Sequence, residues 1–225
     1  MECSRCKSKE RTKNGVLQGV QRYKCKSCGY NYTVEFRRGT KPADQKRLAL
    51  LMYLEGLGFR SIGRILNVHN TTVYRWIRNF GEQAEVVRND KPVKIMKLDE
   101  FHTYVGHKKY RWIWTCVSRD DREFVDFVVG NRGVKTGLKL WEKVGQLAEG
   151  MVAADYWKPY NDIVPSEKLV QTKAETYTVE SYNGLIKHFL ARFRRKSKCY
   201  SKSEEMIVLS LKLLFAQRNK TLNYI

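Results

Sequence analysis

Cys3, Cys6, Cys25 and Cys28 form two C-x-x-C pairs separated by 18 residues, and this spacing leaves the N-terminal segment few folds to choose from. Two such knuckles can bring four thiolates to about 2.3 Å from one Zn²⁺ and close a tetrahedron. The segment is short and polar, so it cannot build a core of its own, and metal binding would supply its folding energy. The flanks fit a zinc ribbon: Gln21-Arg22-Tyr23-Lys24 leads into the second knuckle, and Cys28-Gly29 turns the chain after it. Redox or disulfide use is the alternative. With four thiolates the site would be closed and structural, with no open position for catalysis. Cys116 and Cys199 stand alone and read as plain thiols.

Charge identifies the class of partner. Across 225 residues, 43 Lys and Arg against 23 Asp and Glu leave a net charge of +20. Such an excess repels itself in the compact state, so a polyanion is the natural partner. Nucleic acid is favoured over an anionic membrane, because no apolar run approaches the roughly 18 residues a span needs. The segment Met206–Ala216 is short and interrupted by Ser210 and Lys212. The start, MECSRCKSKE, lacks the apolar stretch of a signal peptide, so a soluble, cytoplasmic protein is expected. Residues 1–41 hold 11 basic and 3 acidic side chains, which suits a ribbon facing phosphates.

The expected domains are a zinc ribbon at 1–38, a helix-turn-helix at 42–82 and an α/β domain at 92–225. Arg37 to Pro42 reads as a basic linker. A first helix carries Leu48, Leu51, Met52 and Leu54 and ends at Glu55-Gly56; a short second one carries Ile62, Ile65 and Leu66. After a turn at Asn67–Asn70, a third runs from Thr71 to Phe80 with Val73, Ile77 and Phe80 inward. Asn70 or Thr71 would cap it, and Thr72, Tyr74, Arg75 and Arg78 would lie on its outer, DNA-facing side. Any small three-helix bundle is the alternative.

Beyond a polar stretch at Glu82–Pro92 the period changes. Val93–Asp99, Arg111–Val117 and Glu123–Val129 alternate as strands. A helix at about Lys135–Glu149, a strand at Met151–Asp155, a short strand at Lys168–Gln171 and helices at about Tyr177–Arg194 and Lys202–Asn219 follow. Ser201 and Glu204 have the spacing of a capping box. The order matches a ribonuclease-H-like α/β domain, which would be catalytic.

That topology would bring three acids together. Asp99 ends the first strand, Asp155 ends the fourth beside it in parallel, and Glu180 lies near the start of a later helix. On a helical wheel Glu180, Asn183 and Lys187 fall on one side, next to a buried stripe of Val179, Tyr182, Ile186, Phe189 and Phe193. Three carboxylates suit hard divalent cations, Mg²⁺ or Mn²⁺, which take oxygen ligands. Two such ions can activate an attacking oxygen and stabilise a departing one. Singly, each acid also reads as an ordinary surface group.

Several strings then resemble the DDE transposases of the insertion-sequence-one family: Leu98-Asp99-Glu100, Asp155-Tyr156-Trp157-Lys158-Pro159-Tyr160, Thr178 to Leu185, and Ala191 to Ser197 followed by Ser201-Lys202-Ser203. The resemblance, which extends to the order of ribbon, helix-turn-helix and α/β domain, covers nearly the whole chain. It implies an enzyme that binds the terminal inverted repeats of its element, cuts there and joins the ends to target DNA, as a homo-oligomer on double-stranded DNA. It further implies Asp99, Asp155 and Glu180 as catalytic residues and Lys187 as a contact to terminal DNA. Tyr156 departs from the family, where Gly is expected.

From Glu180 to Lys202, both included, there are seven Lys or Arg against one acid. The run is either a solvated face or a DNA channel, in which Arg192, Arg194 and Arg195, with Asn183 and Lys187, would contact the backbone. Glu100, on the opposite strand face from Asp99, reads as a salt-bridge partner. His102 either reaches the site or sits on the neighbouring strand, His69 and His107 look exposed, and His188 could touch phosphate. Trp112, Trp114 and Trp141 read as core, whereas Trp157 could stack on a base. Two other functions compete: a non-catalytic zinc-ribbon and helix-turn-helix regulator, and a ribonuclease-H-like nuclease without strand transfer.

Overall fold

The protein is described by a computed structural model covering residues 2–17, 19–33, 41–84, 91–106, 109–173, 176–194 and 198–222, with backbone alone at 176–178. The chain divides into two compact units, Met1–Pro42 and Ala43–Ile225.

In the first unit, β1 (Arg11–Leu17), β2 (Val20–Cys25) and β3 (Asn31–Thr33) form a three-stranded antiparallel sheet. Its core is Cys3, Cys25 and Tyr32, flanked by Tyr23 and Cys28. Gly29 adopts a φ of 70° in the turn after the second knuckle, with its N–H donating to Cys25 O. Glycine occupies this left-handed conformation without a Cβ clash.

The second unit opens with α1 (Ala43–Leu54), α2 (Phe59–Ile65) and α3 (Asn70–Gln83). On α1 the buried residues are Ala49, Leu50, Tyr53 and Leu54, while Leu48 is 43% exposed. Of the apolar residues read along this helix, Leu54 is buried and Leu51 and Met52 are half-buried. Tyr53 holds the buried position because its ring stacks on Phe59 and its hydroxyl pairs with Ser210 at 2.7 Å. The cap of α3 is His69, not Asn70 or Thr71: its side chain accepts from the Thr71 N–H and pairs with Thr71 Oγ1 at 2.8 Å. Val73 and Ile77 are buried as expected, and Phe80 is half-buried.

The main sheet has the order β6-β5-β4-β7-β8, from β4 (Val93–Val105), β5 (Lys109–Ser118), β6 (Glu123–Gly130), β7 (Ala148–Ala154) and β8 (Leu169–Gln171). The first three form an antiparallel meander; β7 joins β4 in parallel and β8 joins β7 in parallel. The first strand does not end at Asp99. Pairing with β5 continues to Val105↔Lys109, and this partner holds the strand extended for six further residues.

Strand alternation gives the sheet two buried faces. Met96, Leu98, Trp114 and Cys116 pack with α4 (Val134–Val144) in one core. Phe101, Ile113 and Val117 pack on the other face with α5 (Thr176–Phe189) and α6 (Glu204–Arg218). The fifth helix stops at Phe189, and Phe193 lies in a separate helical turn. α6 is buried nearly all round, from Met206 to Ala216, as expected of a helix at the centre of a core. Its cap is Ser203, whose hydroxyl accepts from Met206 N–H, and not Ser201, which pairs with Arg192.

The second core also contains Leu50, Tyr53, Ile62, Val73 and Ile77, so the three N-terminal helices of this unit share their interior with the sheet. α3 meets α6 closely at Gly81, where an added Cβ would stand 2.7 Å from Leu209 Cβ. Arg192 is buried at this junction, its guanidinium 5.4 Å from the Tyr53 ring centre and 5.0 Å from that of Phe59, with Nη1 on Ser201 Oγ at 2.6 Å. Its Nε has no hydrogen-bond partner. Arg192 therefore belongs to the interior and not to the expected DNA-facing surface. Arg192→Ala should cost about 2–4 kcal/mol, from lost packing, ring contacts and a charge-assisted bond. Arg192→Met should cost less, since it fills the space without burying a charge. Urea denaturation of both variants checks the order.

Candidate active site

The parallel ladder between β4 and β7 ends at the pair Lys97↔Ala153. Asp99 and Asp155 stand two residues beyond this pair, Asp99 within β4 and Asp155 directly after β7, at the same end of the ladder. Asp155 is fixed locally, its Oδ1 accepting from Trp157 N–H at 3.0 Å and its backbone carbonyl from Gln171 Nε2 at 2.9 Å. Asp99 is fixed by α5: Asn183 Nδ2 donates to its Oδ2 at 2.6 Å. Asn183 is itself buried and accepts from Thr115 Oγ1 at 3.1 Å, which orients the amide. Asn183 thus positions a carboxylate, where the sequence placed it among DNA contacts.

Glu100, on the other strand face, is the third acid of the cluster. Its Oε1 accepts from Arg132 Nε at 3.1 Å and Nη2 at 3.0 Å, and its Oε2 from the buried Tyr160 hydroxyl at 2.6 Å. It has the ion pair read for it in the sequence. Neither Arg132, in the turn after β6, nor Tyr160 was identified from sequence. Tyr160 stood inside the Asp155–Tyr160 string, so the signal existed; Arg132 gave none.

The acids push against each other. Burial raises the Asp99 pKa to about 6, and the charges of Glu100 and Asp155 add to the effect against hydrogen bonds that lower it. Burial likewise raises Glu100, opposed by Tyr160 and Arg132. Carboxylate oxygens such as those of Asp99 and Asp155 are the donors that hard divalent cations take, and a cation's charge would relieve their repulsion.

Glu180 stands apart. It is exposed on α5, three residues before Asn183, so it lies one turn away on the same side of the helix. Among the described residues, only the four cysteines are gathered closely enough to form a metal-binding group of three or more such side chains. Tyr156 is 62% exposed.

The cationic residues divide in two. Arg75 is exposed on α3. Arg78 is engaged by Glu82 at 2.8 Å and Glu205 at 2.7 Å, which ties α3 to α6. Thr72 and Tyr74 are half-buried, with Tyr74 edge-on to Phe59. Lys187 lies 5.0 Å from the Phe101 ring centre, and Arg194 donates to the His188 carbonyl at 2.8 Å. Arg195 and His107 lie outside the described residues. Trp157 packs against Trp114 and Tyr160 with Arg132 over its ring, and Trp114 is buried while Trp112 and Trp141 are half-buried. His102 is exposed on β4 against Tyr110 and Trp112, and His188 is exposed.

The thiol groups of Cys3, Cys6, Cys25 and Cys28 all lie within 4.8 Å of one another. Cys3 and Cys28 sulfurs are 3.7 Å apart, and those of Cys6 and Cys25 are 3.5 Å apart. Four sulfurs at about 2.3 Å from a tetrahedral centre would be about 3.8 Å apart, against about 2.05 Å in a disulfide. Cys25 is drawn down to about 6, first by the Cys28 backbone N–H. At Cys6 the Ser8 N–H is outweighed by neighbouring thiols and burial, which push it up to about 12. Thiolate character concentrated on part of a four-sulfur cage suits a thiophilic cation. Chelation, or Cys25→Ser, should release one metal ion per chain and unfold residues 1–42 while the second unit keeps its thermal transition. Metal analysis with circular dichroism reads both.

Residues 93–213 match the family model for IS1 transposase, and residues 41–87 match a homeodomain-like domain. Together these matches run from 41 to 213, so the cysteine-bearing segment lies outside them. The chain is 28% identical over 113 residues to an insertion element iso-IS1n protein InsB of Shigella dysenteriae, covering 50% of this chain and 86% of that protein. It is 31% identical over 111 residues to an insertion element IS1 protein InsB of Shigella flexneri, covering 49% and 85%. No helix among the described residues is long and apolar enough to cross a membrane.

Proposed function

Because the chain belongs to the IS1 transposase family, we propose that it binds the ends of its own mobile element and catalyses metal-dependent DNA cleavage and strand transfer, with Asp99, Asp155 and Glu180 as the catalytic carboxylates. The observation that carries this reading is the position of Asp99 and Asp155 two residues beyond the last pair at one end of the β4–β7 ladder, with α5 tied to Asp99 through Asn183. The three acids would hold Mg²⁺ or Mn²⁺, which supplies positive charge that activates an attacking oxygen and offsets charge on the leaving one.

The chain's own part is arrangement. Asn183 and Thr115 hold Asp99 in one rotamer, and Trp157 N–H holds Asp155. Arg132 and Tyr160 keep Glu100 turned from Asp99. Glu180 is exposed and one helical turn away, so it can join when a phosphodiester and cations neutralise the cluster. The cationic Lys187 and Arg194 lie on or just beyond the same helix and would offset repulsion between DNA and the acids. In this reading residues 1–38 are a Zn²⁺-stabilised ribbon, 42–82 recognise DNA, and 92–225 catalyse, with more than one copy assembling on the DNA in the cytoplasm.

The test is an assay on duplexes bearing the element's terminal repeats, with Mg²⁺ or Mn²⁺, scored separately for cleavage and for joining. Cleavage without joining would indicate a nuclease, and binding without either a regulator. In recognition, Arg75 and Arg78 should differ. Arg75→Ala is expected to reduce discrimination between the element end and random DNA by about 1–3 kcal/mol. Arg78→Ala should leave discrimination unchanged and lower stability, because its guanidinium is held by Glu82 and Glu205. Titrations on both DNAs at one salt concentration separate the two.

A further inference from the structure

Among the described residues, the β7 side of β4 carries no ladder pairing beyond Lys97 until Val105 bridges to Ser201. A cavity of about 460 Å³ lies along this stretch, lined by residues from both faces of the strand, including Glu100, Tyr104, Lys187, Arg194 and Tyr200. One wall is aromatic. Tyr104 pairs across the hairpin with Tyr110, and His102 with Trp112. The Tyr104 ring lies 4.8 Å from Tyr110 and 5.1 Å from Tyr200, centre to centre. Tyr110 is 53% exposed and His102 is exposed. Cross-strand pairing alone would stiffen the hairpin, but it does not account for the cations in the same lining. Lys187 and Arg194 line the cavity together with these rings.

Aromatic faces and cations in one lining are the chemistry that holds a single-stranded nucleotide: a base stacks and its phosphate meets the positive charge. The volume falls within the range of about 300–1,000 Å³ typical of small-ligand pockets, enough for one nucleotide and too little for a duplex. Glu100, in the cavity lining, follows Asp99 directly. We propose that this cavity receives one unpaired nucleotide of the DNA at the cleavage site, its base against Tyr104 and its phosphate toward Lys187 and Arg194. The inference rests on the reading of Asp99 and Asp155 as the site of strand cleavage, and it adds a place where an unstacked base is held during the reaction.

The experiment compares the full chain's affinity, without added Mg²⁺, for an element-end duplex that is blunt and for the same duplex with a one-nucleotide overhang. The wild type should prefer the overhang by about tenfold, the worth of one base–aromatic stack. Tyr104→Ala should abolish that preference and leave blunt-end affinity intact, while Tyr104→Phe should retain it because the ring remains. 5-Iodouracil in the overhang should photocrosslink to the peptide carrying Tyr104 or Tyr200. If Tyr104→Ala weakens blunt-end binding as well, the Phe variant and the crosslink position decide. Equal wild-type affinity for both duplexes, or crosslinks confined to other peptides, would overturn the proposal; such a result would leave the exposed strand edge to a peptide partner instead. Metal-dependent cleavage is scored in parallel. Cleavage without overhang preference removes the pocket alone, and preference without cleavage removes the catalytic reading alone.

Discussion

Asp99→Asn and Asp155→Asn should each lower strand cleavage and joining on the order of 10³-fold or more, a loss typical of essential catalytic groups, while end binding persists. Both steps should fall together, because one set of carboxylates serves each. Glu180→Gln should behave alike, despite its exposed position. The substitution at Asp99 has a second consequence that ordinary surface acids would not share. Its carboxyl is raised to about 6 from 3.8, so the folded chain holds this proton more tightly than the unfolded one. Stability therefore declines as pH rises from about 4 to 6, and the penalty is fully present above 6. Asp99→Asn removes it, and at pH 8 without added divalent ion the variant should be more stable by roughly 1–3 kcal/mol. At pH 4 the difference should close. Added Mg²⁺ should raise the melting temperature of the wild type and not that of the variant. Near-normal turnover in any of the three variants would remove that residue from the site. A wild-type chain indifferent to Mg²⁺ would sink the metal-binding assignment.

Periodicity carried the sequence reading furthest where burial was one-sided. Val73 and Ile77 on α3 came out as read, because one buried face imposes its spacing directly on the chain; β4 to β6 came out as strands although the sheet is buried on both faces. The C-x-x-C pairs were legible for another reason: four thiols must converge if the segment is to fold at all. Ends of elements were less legible. β4 runs on past Asp99 because β5 pairs with it, and a partner strand leaves no mark in the sequence of the strand it extends. His69 caps α3 through a ring nitrogen, where reading favoured the usual short polar side chains. Most of all, Arg192 looked like one more cation in a basic run. Its burial depends on Tyr53 and Phe59, far away in sequence, and nothing local separates a cation bound for a core from one bound for a phosphate. The two acids at the ladder end were legible because their place follows from topology. The residues that hold the acids, Asn183 and Thr115 at Asp99 and Arg132 and Tyr160 at Glu100, reach across elements, and hydrogen-bond partners of that kind have no period.

Asn183 gives the sharpest division between positioning and contact. If it acts on Asp99, Asn183→Ala should lower the rate by about 10–100-fold, as loss of a partner that orients a ligating group does, with end-binding affinity little changed. The sign of the accompanying pH effect follows from the hydrogen bond. The amide donates to the ionised carboxylate and so holds the Asp99 pKa below where burial and its acidic neighbours would set it. Without that donor the pKa moves above about 6, the carboxylate ionises later, and the acidic limb of the rate profile shifts to higher pH. The deficit should consequently be largest on the acidic side of pH 6 and shrink toward pH 9, leaving the part due to lost orientation. Should Asn183 instead contact DNA, the variant would bind element ends more weakly and the acidic limb would stay where it is. A rate–pH profile at saturating DNA, measured beside a binding isotherm, separates these outcomes, since a positioning residue moves the first and a contact residue the second.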